Sequence, residues 1–212
     1  MRMKIAVVNE VSACSKNPDI INALDILHAD FVNIGMTGKP GEPELTYIDT
    51  GFLAALMLNA GRADFVIGGC GTGQGFLNAA MQYPHVFCGL ADQPLDAWLF
   101  AKINGGNCLS LALNKGYGWA GDMNLLFLFD RLFQVEMGTG FPASRAESQK
   151  NSREQLKQLS DCTHKPFAEI VAQMDSSIVR RVLQFPGVRD VLQIESLSDV
   201  SLAAELERRM RV

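Results

Sequence analysis

A cysteine followed by alternating glycines is the stretch of this chain most suited to chemistry. Cys70 comes directly after the apolar, strand-like run Phe65–Gly69. The glycines that follow it are Gly71, Gly73 and Gly75. Glycine lets the backbone approach a ligand closely and turn several N–H groups into one concavity. A helix expected from about Gln74 would add its positive end. The segment therefore predicts a site for a phosphate or for a developing enediolate oxyanion, with a thiol beside it.

Two other interpretations of this segment are open. A glycine turn beside a buried cysteine is the simpler one, because cysteine is among the most buried residue types. Alternating glycines with Thr72 at the carboxyl end of a strand favour the functional interpretation. A dinucleotide fingerprint is the third, but the glycine spacing is G-x-G-x-G rather than G-x-G-x-x-G, and the segment follows the third expected strand instead of the first.

The elements that must position this loop alternate between strands and helices. Apolar, β-branched runs predict strands at 4–9, 31–34, 65–69, 86–91 and 108–113, and helical periodicity predicts helices at 18–28, 47–60, 76–81, 95–103 and 120–135. Five strands separated by helices indicate an α/β fold, a three-layer Rossmann-like parallel sheet of five strands. Ligands of such sheets bind beyond the carboxyl ends of the strands, so the loops after strands one, three and five are the expected site.

The composition changes near residue 140, which divides the chain into a Rossmann-like domain (1–140) and a mostly helical extension (141–212). The extension opens with a polar helical stretch, and Ser144 with Glu147 has the spacing of a capping box. It is too short to hold a core of its own, so we expect it to pack on the main domain or on a partner subunit.

Charge and cysteine content exclude several classes of function. A formal net charge of −4 and a pI near 5.4 give no basic footprint for nucleic acid. The apolar runs fall short of a membrane span. Five cysteines without C-x-x-C spacing argue against a disulfide framework and a structural metal site, and predict a cytoplasmic protein.

Asn9 and Glu10 end the first expected strand and therefore face the same rim as Cys70. Glu10 could accept a hydrogen bond from a sugar hydroxyl, or it could cap the loop at 12–17. Both roles are open. We place Asn9, Glu10 and Gln74 among the expected substrate-binding residues.

At this point the chain resembles a known family over residues 3–145. CGTGQG on the third strand resembles the type B ribose-5-phosphate isomerases and the galactose-6-phosphate isomerase subunits. Other landmarks lie in register: KIAVVNE, LTYIDTGFLAA, the NAA after CGTGQG, DQPLDA and NGGNCLSL.

The resemblance implies roles for several residues. It implies that Cys70 moves a proton between two substrate carbons and that the amides around Gly71, Gly73 and Gly75 stabilise the enediolate. Thr72 matches a threonine of the family's pocket, and Asn104 matches an asparagine before the fifth strand. The resemblance further implies that no metal or other cofactor is needed, and that the active site lies between two subunits of a homodimer or a dimer of dimers.

Two positions depart from the family pattern. Val11 and Ile103 stand where the family has histidines, the second of which opens the sugar ring. Arg145 is a loose match to a phosphate-binding arginine. The resemblance predicts aldose–ketose isomerisation of ribose 5-phosphate, galactose 6-phosphate or a tetrose phosphate, and the missing histidines favour an open-chain sugar such as the tetrose phosphate. The alternative is a non-catalytic sugar-phosphate-binding or partner subunit.

Overall fold

A parallel five-stranded sheet forms the centre of the molecule in a computed structural model that describes residues 3–211. The strands are β1 (Lys4–Asn9), β2 (Asp30–Asn33), β3 (Phe65–Cys70), β4 (Cys88–Ala91) and β5 (Cys108–Ala112), in the order β2-β1-β3-β5-β4. All four neighbouring pairs are parallel. This confirms the predicted fold class.

Ten α-helices surround and extend the sheet within the described residues. They are α1 (Asn17–Ile26), α2 (Tyr47–Asn59), α3 (Gln74–Ala80), α4 (Pro94–Leu99), α5 (Gly121–Phe133), α6 (Ala146–Thr163), α7 (Phe167–Gln173), α8 (Ser176–Gln184), α9 (Val188–Leu192) and α10 (Val200–Arg211). No helix in the described part of the chain has the length and apolarity needed to cross a membrane.

The two faces of the sheet bury separate apolar clusters because side chains alternate along each strand. Ile5 and Val7 of β1 pack with α1, α4 and α5. Ala6 and Val8 pack with α2 and α3 on the other face. Three layers result, as the sequence predicts.

Strand order reverses between β1 and β3. The chain leaves β1 toward β2 at one edge, whereas it leaves β3 toward β4 at the opposite edge. Asn9 lies level with Gly69 on the paired strands, so Glu10 follows β1 at the same height as Cys70. A crevice at such a switch point is where ligands bind in open α/β sheets.

The helical extension covers the α2 face. Phe167 of α7, Val179 of α8 and Leu206 of α10 belong to the same apolar cluster as Phe52 of α2. Helix α6 differs, since Ser160 is its only buried residue. The boundary at residue 140 stays a prediction.

Three local expectations are wrong. The fourth strand begins at Cys88 instead of Val86, because the N–H of Phe87 donates to the side-chain oxygen of Asn107. The helix expected at 95–103 ends at Leu99 and continues as a π-helical turn, Phe100–Asn104. Ser144 does not cap α6, because it lies within a 3₁₀ turn, Ala143–Arg145, that runs directly into the helix.

Candidate active site

Cys70 ends β3 on the sheet face that α2 and α3 cover, and only 6% of the residue is exposed. Its Sγ lies 3.9 Å from Oγ1 of Thr72, which is exposed at the crevice. Gly68 points to the same face two residues earlier, and a Cβ there would lie 2.2 Å from Cζ of Phe76. The ring of Phe76 thus packs directly on the strand beneath Cys70, which fixes α3 against β3.

Gly73 is required for the turn between β3 and α3. Its φ of +75° is a left-handed conformation that side chains rarely adopt, and a Cβ would lie 2.4 Å from Cδ1 of Leu90. Its carbonyl accepts a hydrogen bond of 2.6 Å from Ser110 Oγ. This turn starts α3 at Gln74, as the sequence predicts.

Tyr47 is a site residue that the sequence did not single out. A Cβ on Gly75 would lie 3.0 Å from Cγ of Tyr47, so the ring packs on the backbone of the Cys70 loop. The residue remains 44% exposed although it begins the mostly buried helix α2. The sequence feature that could have identified Tyr47 is its position as an aromatic residue at the start of an apolar helix.

Some backbone donors of the loop are used within the chain and others are open. The N–H of Gly71 donates to Ser12 Oγ at 3.0 Å, and the N–H of Gly73 donates to the Cys70 carbonyl at 3.3 Å. For Gly75 and Phe76, residues 3–211 provide no recorded acceptor for the N–H. The first turn of a helix leaves such donors unpaired. Gly75 and Phe76 therefore offer the donors that an oxyanion needs.

Glu10 and Ser12 extend from β1 to this loop. Glu10 is 3% exposed, and Ser12 Oγ donates a short hydrogen bond to its carboxylate. The side chain of Asn114, after β5, donates to the Ser12 carbonyl at 2.6 Å. Asn114 was also missed by the sequence analysis, although the loop after β5 was expected to contribute. The loops after β1, β3 and β5 therefore meet as predicted.

Asn9 belongs to a buried amide cluster on the other face of the sheet. Its Oδ1 accepts from Asn17 at 2.9 Å, and Asn17 also exchanges hydrogen bonds with Asn33. The residue is fully buried, and its Nδ2 is the single buried side-chain nitrogen or oxygen without a partner in residues 3–211. Its side chain is positioned to support the end of β1, and its contact with substrate stays a prediction.

Asn104 and Arg145 do not lie near Cys70 within one chain. Asn104 precedes β5, whereas Cys70 lies level with Ala112 at the far end of that strand. At about 3.3 Å per residue, the five residues of β5 alone separate the two levels by roughly 13 Å. Arg145 is exposed in the 3₁₀ turn before α6, and the segment leading to it is held at the same end of the sheet as Asn104, where Gly140 N donates to the Lys102 carbonyl at 2.6 Å. Asn104 borders a cavity of about 600 Å³ between β4 and α6.

Arg153 and Cys108 both have structural partners. Arg153 donates to the carbonyls of Ile103 (2.8 Å) and Gly138 and so joins α6 to the domain. Burial raises the pKa of the Cys108 thiol well above its usual value, and a hydrogen bond with Cys88 adds to the shift. Cys108 therefore stays a neutral core residue.

Comparison with known proteins identifies relatives of the whole chain. The model of the Ribose/Galactose Isomerase family matches residues 5–130. A crystal structure of a 4-deoxy-L-threo-5-hexosulose-uronate ketol-isomerase, in complex with a tartrate, is 36% identical with a TM-score of 0.92, over 99% of this chain and 100% of that one. No curated protein sequence matches significantly.

Two ribose-5-phosphate isomerases show how far the likeness extends. The enzyme from Vibrio parahaemolyticus is 33% identical with a TM-score of 0.90, over 100% of this chain and 99% of that one. The enzyme from Thermotoga maritima is 22% identical with a TM-score of 0.56 and covers 71% of this chain, so it shows the fold alone. The family match spans more than half of the sequence, and the chain belongs to the Ribose/Galactose Isomerase family of sugar isomerases.

Proposed function

We propose that this protein converts a small, open-chain, acidic aldose into the corresponding 2-ketose through a cis-enediolate. Cys70 removes the proton from C2 and returns it to C1, and the N–H groups at the start of α3 hold the enediolate oxygen. The observation that carries this proposal is a difference between two parts of the family's site. The Cys70 loop is complete, while both histidine positions of the family hold the apolar residues Val11 and Ile103.

Loss of a ring-opening histidine is harmless only if the substrate has no ring to open. The name of the 36% identical relative's substrate describes such a sugar. Carbon 5 of a 5-hexosulose carries a ketone and carbon 4 of a 4-deoxy sugar carries no hydroxyl. Neither position can therefore attack the aldehyde to form the usual six- or five-membered ring. This chemistry agrees with the substitutions at 11 and 103, and we propose a 4-deoxy-5-hexosulose uronate as the substrate.

A phosphorylated sugar is the second candidate, favoured by the 33% identical ribose-5-phosphate isomerase. Ribose 5-phosphate forms a furanose ring, whereas a tetrose 4-phosphate does not, because its phosphate occupies the hydroxyl needed for closure. A tetrose phosphate therefore fits the missing histidines better. Carboxylate and phosphate sugars are distinguished by a direct assay.

The test uses purified protein in heavy water with 4-deoxy-L-threo-5-hexosulose uronate, D-erythrose 4-phosphate and D-ribose 5-phosphate, followed by proton NMR. We expect the uronate to become its 2-ketose with deuterium at C1. The C4 protons, which lie next to the C5 ketone, exchange on their own and are not counted. Cys70→Ala removes the base and should lower both exchange and conversion by at least about 100-fold.

A control variant and three contrary results test separate parts of this proposal. Cys162→Ala removes an exposed thiol of α6 that does not line the cavity beside Asn104, and it should leave conversion intact. Conversion that survives in Cys70→Ala would show that another group is the base. A wild-type protein inactive on all three sugars would favour a non-catalytic subunit. Turnover of ribose 5-phosphate at least as fast as the uronate would reject the open-chain proposal.

We also propose that the active site is completed by a second copy of the chain. What supports this is the position of Asn104 and Arg145, which are exposed and lie away from Cys70 in one chain. In a homodimer, Asn104 of the partner subunit can face the Cys70 loop, as the family resemblance implies.

A complementation experiment tests the shared site. Cys70→Ala and Asn104→Ala proteins should each be inactive, because each lacks one half of every site. Refolding them together gives mixed dimers with one intact site, which should restore about a quarter of wild-type activity after random pairing in a closed two-fold dimer. Refolding Cys70→Ala with Cys70→Ala,Asn104→Ala is the control and should restore none. Absence of recovery from a dimeric mixture would reject the shared site.

A further inference from the structure

We propose that Ser12, supported by the buried carboxylate of Glu10, moves the hydroxyl proton from O2 to O1 of the enediolate. Aldose–ketose isomerisation requires two proton transfers, one between carbons and one between oxygens. Cys70 accounts for the first. This inference rests on the isomerisation proposed above and assigns the second transfer to residues of the same crevice.

The position of the Ser12 hydroxyl is the first argument. Its Oγ accepts the Gly71 N–H at 3.0 Å, so it lies at the first amide after the catalytic thiol. Ser12 itself is exposed, so its hydroxyl is accessible from the crevice. The Asn114 side chain holds the Ser12 carbonyl at 2.6 Å, which fixes this segment against the β5 loop. A hydroxyl held beside Gly71 is therefore on the same loop as the thiol that removes the C2 proton, where it can meet the oxygens of that substrate.

The surroundings of Glu10 are the second argument. The carboxylate is 3% exposed, yet residues 3–211 supply no cation to pair with it. Its one recorded side-chain partner is the Ser12 hydroxyl. An ionised carboxylate can accept about four hydrogen bonds, so it has capacity left for a proton. Burying a carboxylate with so little compensation costs stability, which argues for a functional reason to keep it.

The proton balance closes over one cycle. As the thiolate of Cys70 removes the C2 proton, electrons move to the aldehyde oxygen O1. The O2–H proton passes to Ser12 Oγ while the Ser12 proton passes to the Glu10 carboxylate. The Glu10 proton then returns through Ser12 to O1, and the Cys70 proton goes to C1 as the C2–O2 bond becomes a carbonyl. Ser12, Glu10 and Cys70 finish in their starting states.

Thr72 is less suited to this transfer. Its Oγ1 lies 3.9 Å from Cys70 Sγ and accepts from Gln74 N at 3.4 Å. No carboxylate of residues 3–211 is hydrogen-bonded to the Thr72 hydroxyl. The base beside Thr72 is Cys70, which already holds the C2 proton at this stage, whereas a proton taken by Ser12 passes to Glu10.

Separating the two transfers in heavy water tests the relay. Ser12→Ala, Glu10→Gln and Ser12→Thr are compared with wild type on 4-deoxy-L-threo-5-hexosulose uronate. Two rates are followed, deuterium entry at C2 of recovered aldose and formation of 2-ketose. Exchange at C2 needs only Cys70, so it should fall less than about tenfold in Ser12→Ala and Glu10→Gln, while ketose formation should fall about 100-fold. Ser12→Thr keeps a hydroxyl and should restore the wild-type ratio of the two rates.

Each contrary outcome has a distinct meaning. Ser15→Ala, an exposed serine of the same segment, is the control and should change neither rate. Equal loss of exchange and conversion in Ser12→Ala and Glu10→Gln, with thermal unfolding unchanged, would reduce the pair to positioning residues and overturn the relay. Unchanged conversion in both would overturn it as well. A wild-type protein that neither exchanges nor converts the uronate would reject that substrate, and the relay assigned to it fails too.

Discussion

The Cys70 loop and the C-terminal extension are held in place by different means. The loop is held through its own backbone groups, since the Gly71 carbonyl accepts from Asn114 N and Lys115 N, each at 3.0 Å, and the Gly73 carbonyl accepts from Ser110 Oγ. Side chains hold the extension, where Arg209 of α10 donates to the carbonyls of Val171 (2.7 Å), Ala172 (2.8 Å) and Met174 (2.7 Å). A loop held through its backbone accepts few residue types, because its backbone must keep one conformation. In the extension, only the positions of the arginines themselves are restricted in this way.

The two regions therefore differ in the effect that a substitution has on activity and on stability. Gly73 and Gly75 leave little room for a side chain, so substitutions at these two positions disturb the site itself. In the extension, apolar contacts with α2 are spread over four helices, and the polar contacts are concentrated in a few arginines. Substitution of one such arginine should affect stability far more than chemistry.

Arg209→Ala should have the largest effect on stability. The side chain is 7% exposed, pairs with Glu205 and donates hydrogen bonds to carbonyls at the C-terminal end of α7. Its removal leaves three carbonyls without their donor, while Glu205 keeps its pairing with Arg208. Because each unsatisfied buried acceptor costs about 1–3 kcal/mol, the loss of unfolding free energy should be about 3–5 kcal/mol. Guanidinium unfolding followed by circular dichroism measures the loss. Because α7–α10 share a core with α2, we expect one transition.

Arg208→Ala is the matched control for that experiment. Arg208 is the neighbouring residue and also pairs with Glu205, but its side chain is 55% exposed. A surface ion pair of this kind contributes little to stability, so Arg208→Ala should leave the unfolding free energy nearly unchanged. Equal losses in the two variants would contradict the role given to Arg209. Two separate transitions would show that the extension folds independently of the sheet.

The same difference explains how much the sequence could predict. Strand and helix order followed from apolar periodicity, and the candidate site was predicted from the glycines that follow Cys70. Tyr47 and Asn114 were missed because their roles depend on loops that are distant in the sequence and adjacent in space. The arginine contacts of the extension were missed for a similar reason, since their acceptors are carbonyls that every residue carries. Asn104 and Arg145 were chosen from a resemblance, and within one chain they lie away from Cys70.

Arg181 joins the two regions and provides the last and smallest prediction. Its guanidinium binds Oδ1 of the fully buried Asp49 at 2.8 Å. The other oxygen of Asp49 caps α2 by accepting from the N–H and hydroxyl of Thr46, both at 2.8 Å. Tyr47 follows directly and packs on Gly75 of the Cys70 loop. A contact made by the extension is therefore two residues from the edge of the site.

Arg181→Ala should cost about 1–3 kcal/mol of unfolding free energy, less than Arg209→Ala, because the buried Oδ1 of Asp49 loses its donor while the other oxygen keeps both bonds from Thr46. Since Tyr47 shifts with the start of α2, the KM of the isomerisation should rise by a factor of about 2–5 while kcat stays within about twofold, as loss of uniform binding predicts. Arg181→Lys keeps the charge and should lie between Arg181→Ala and wild type. Steady-state kinetics and guanidinium unfolding of the three proteins measure both effects. A fall in kcat comparable with that of Ser12→Ala would mean that the extension takes part in the chemistry and that the two regions are not separate in function.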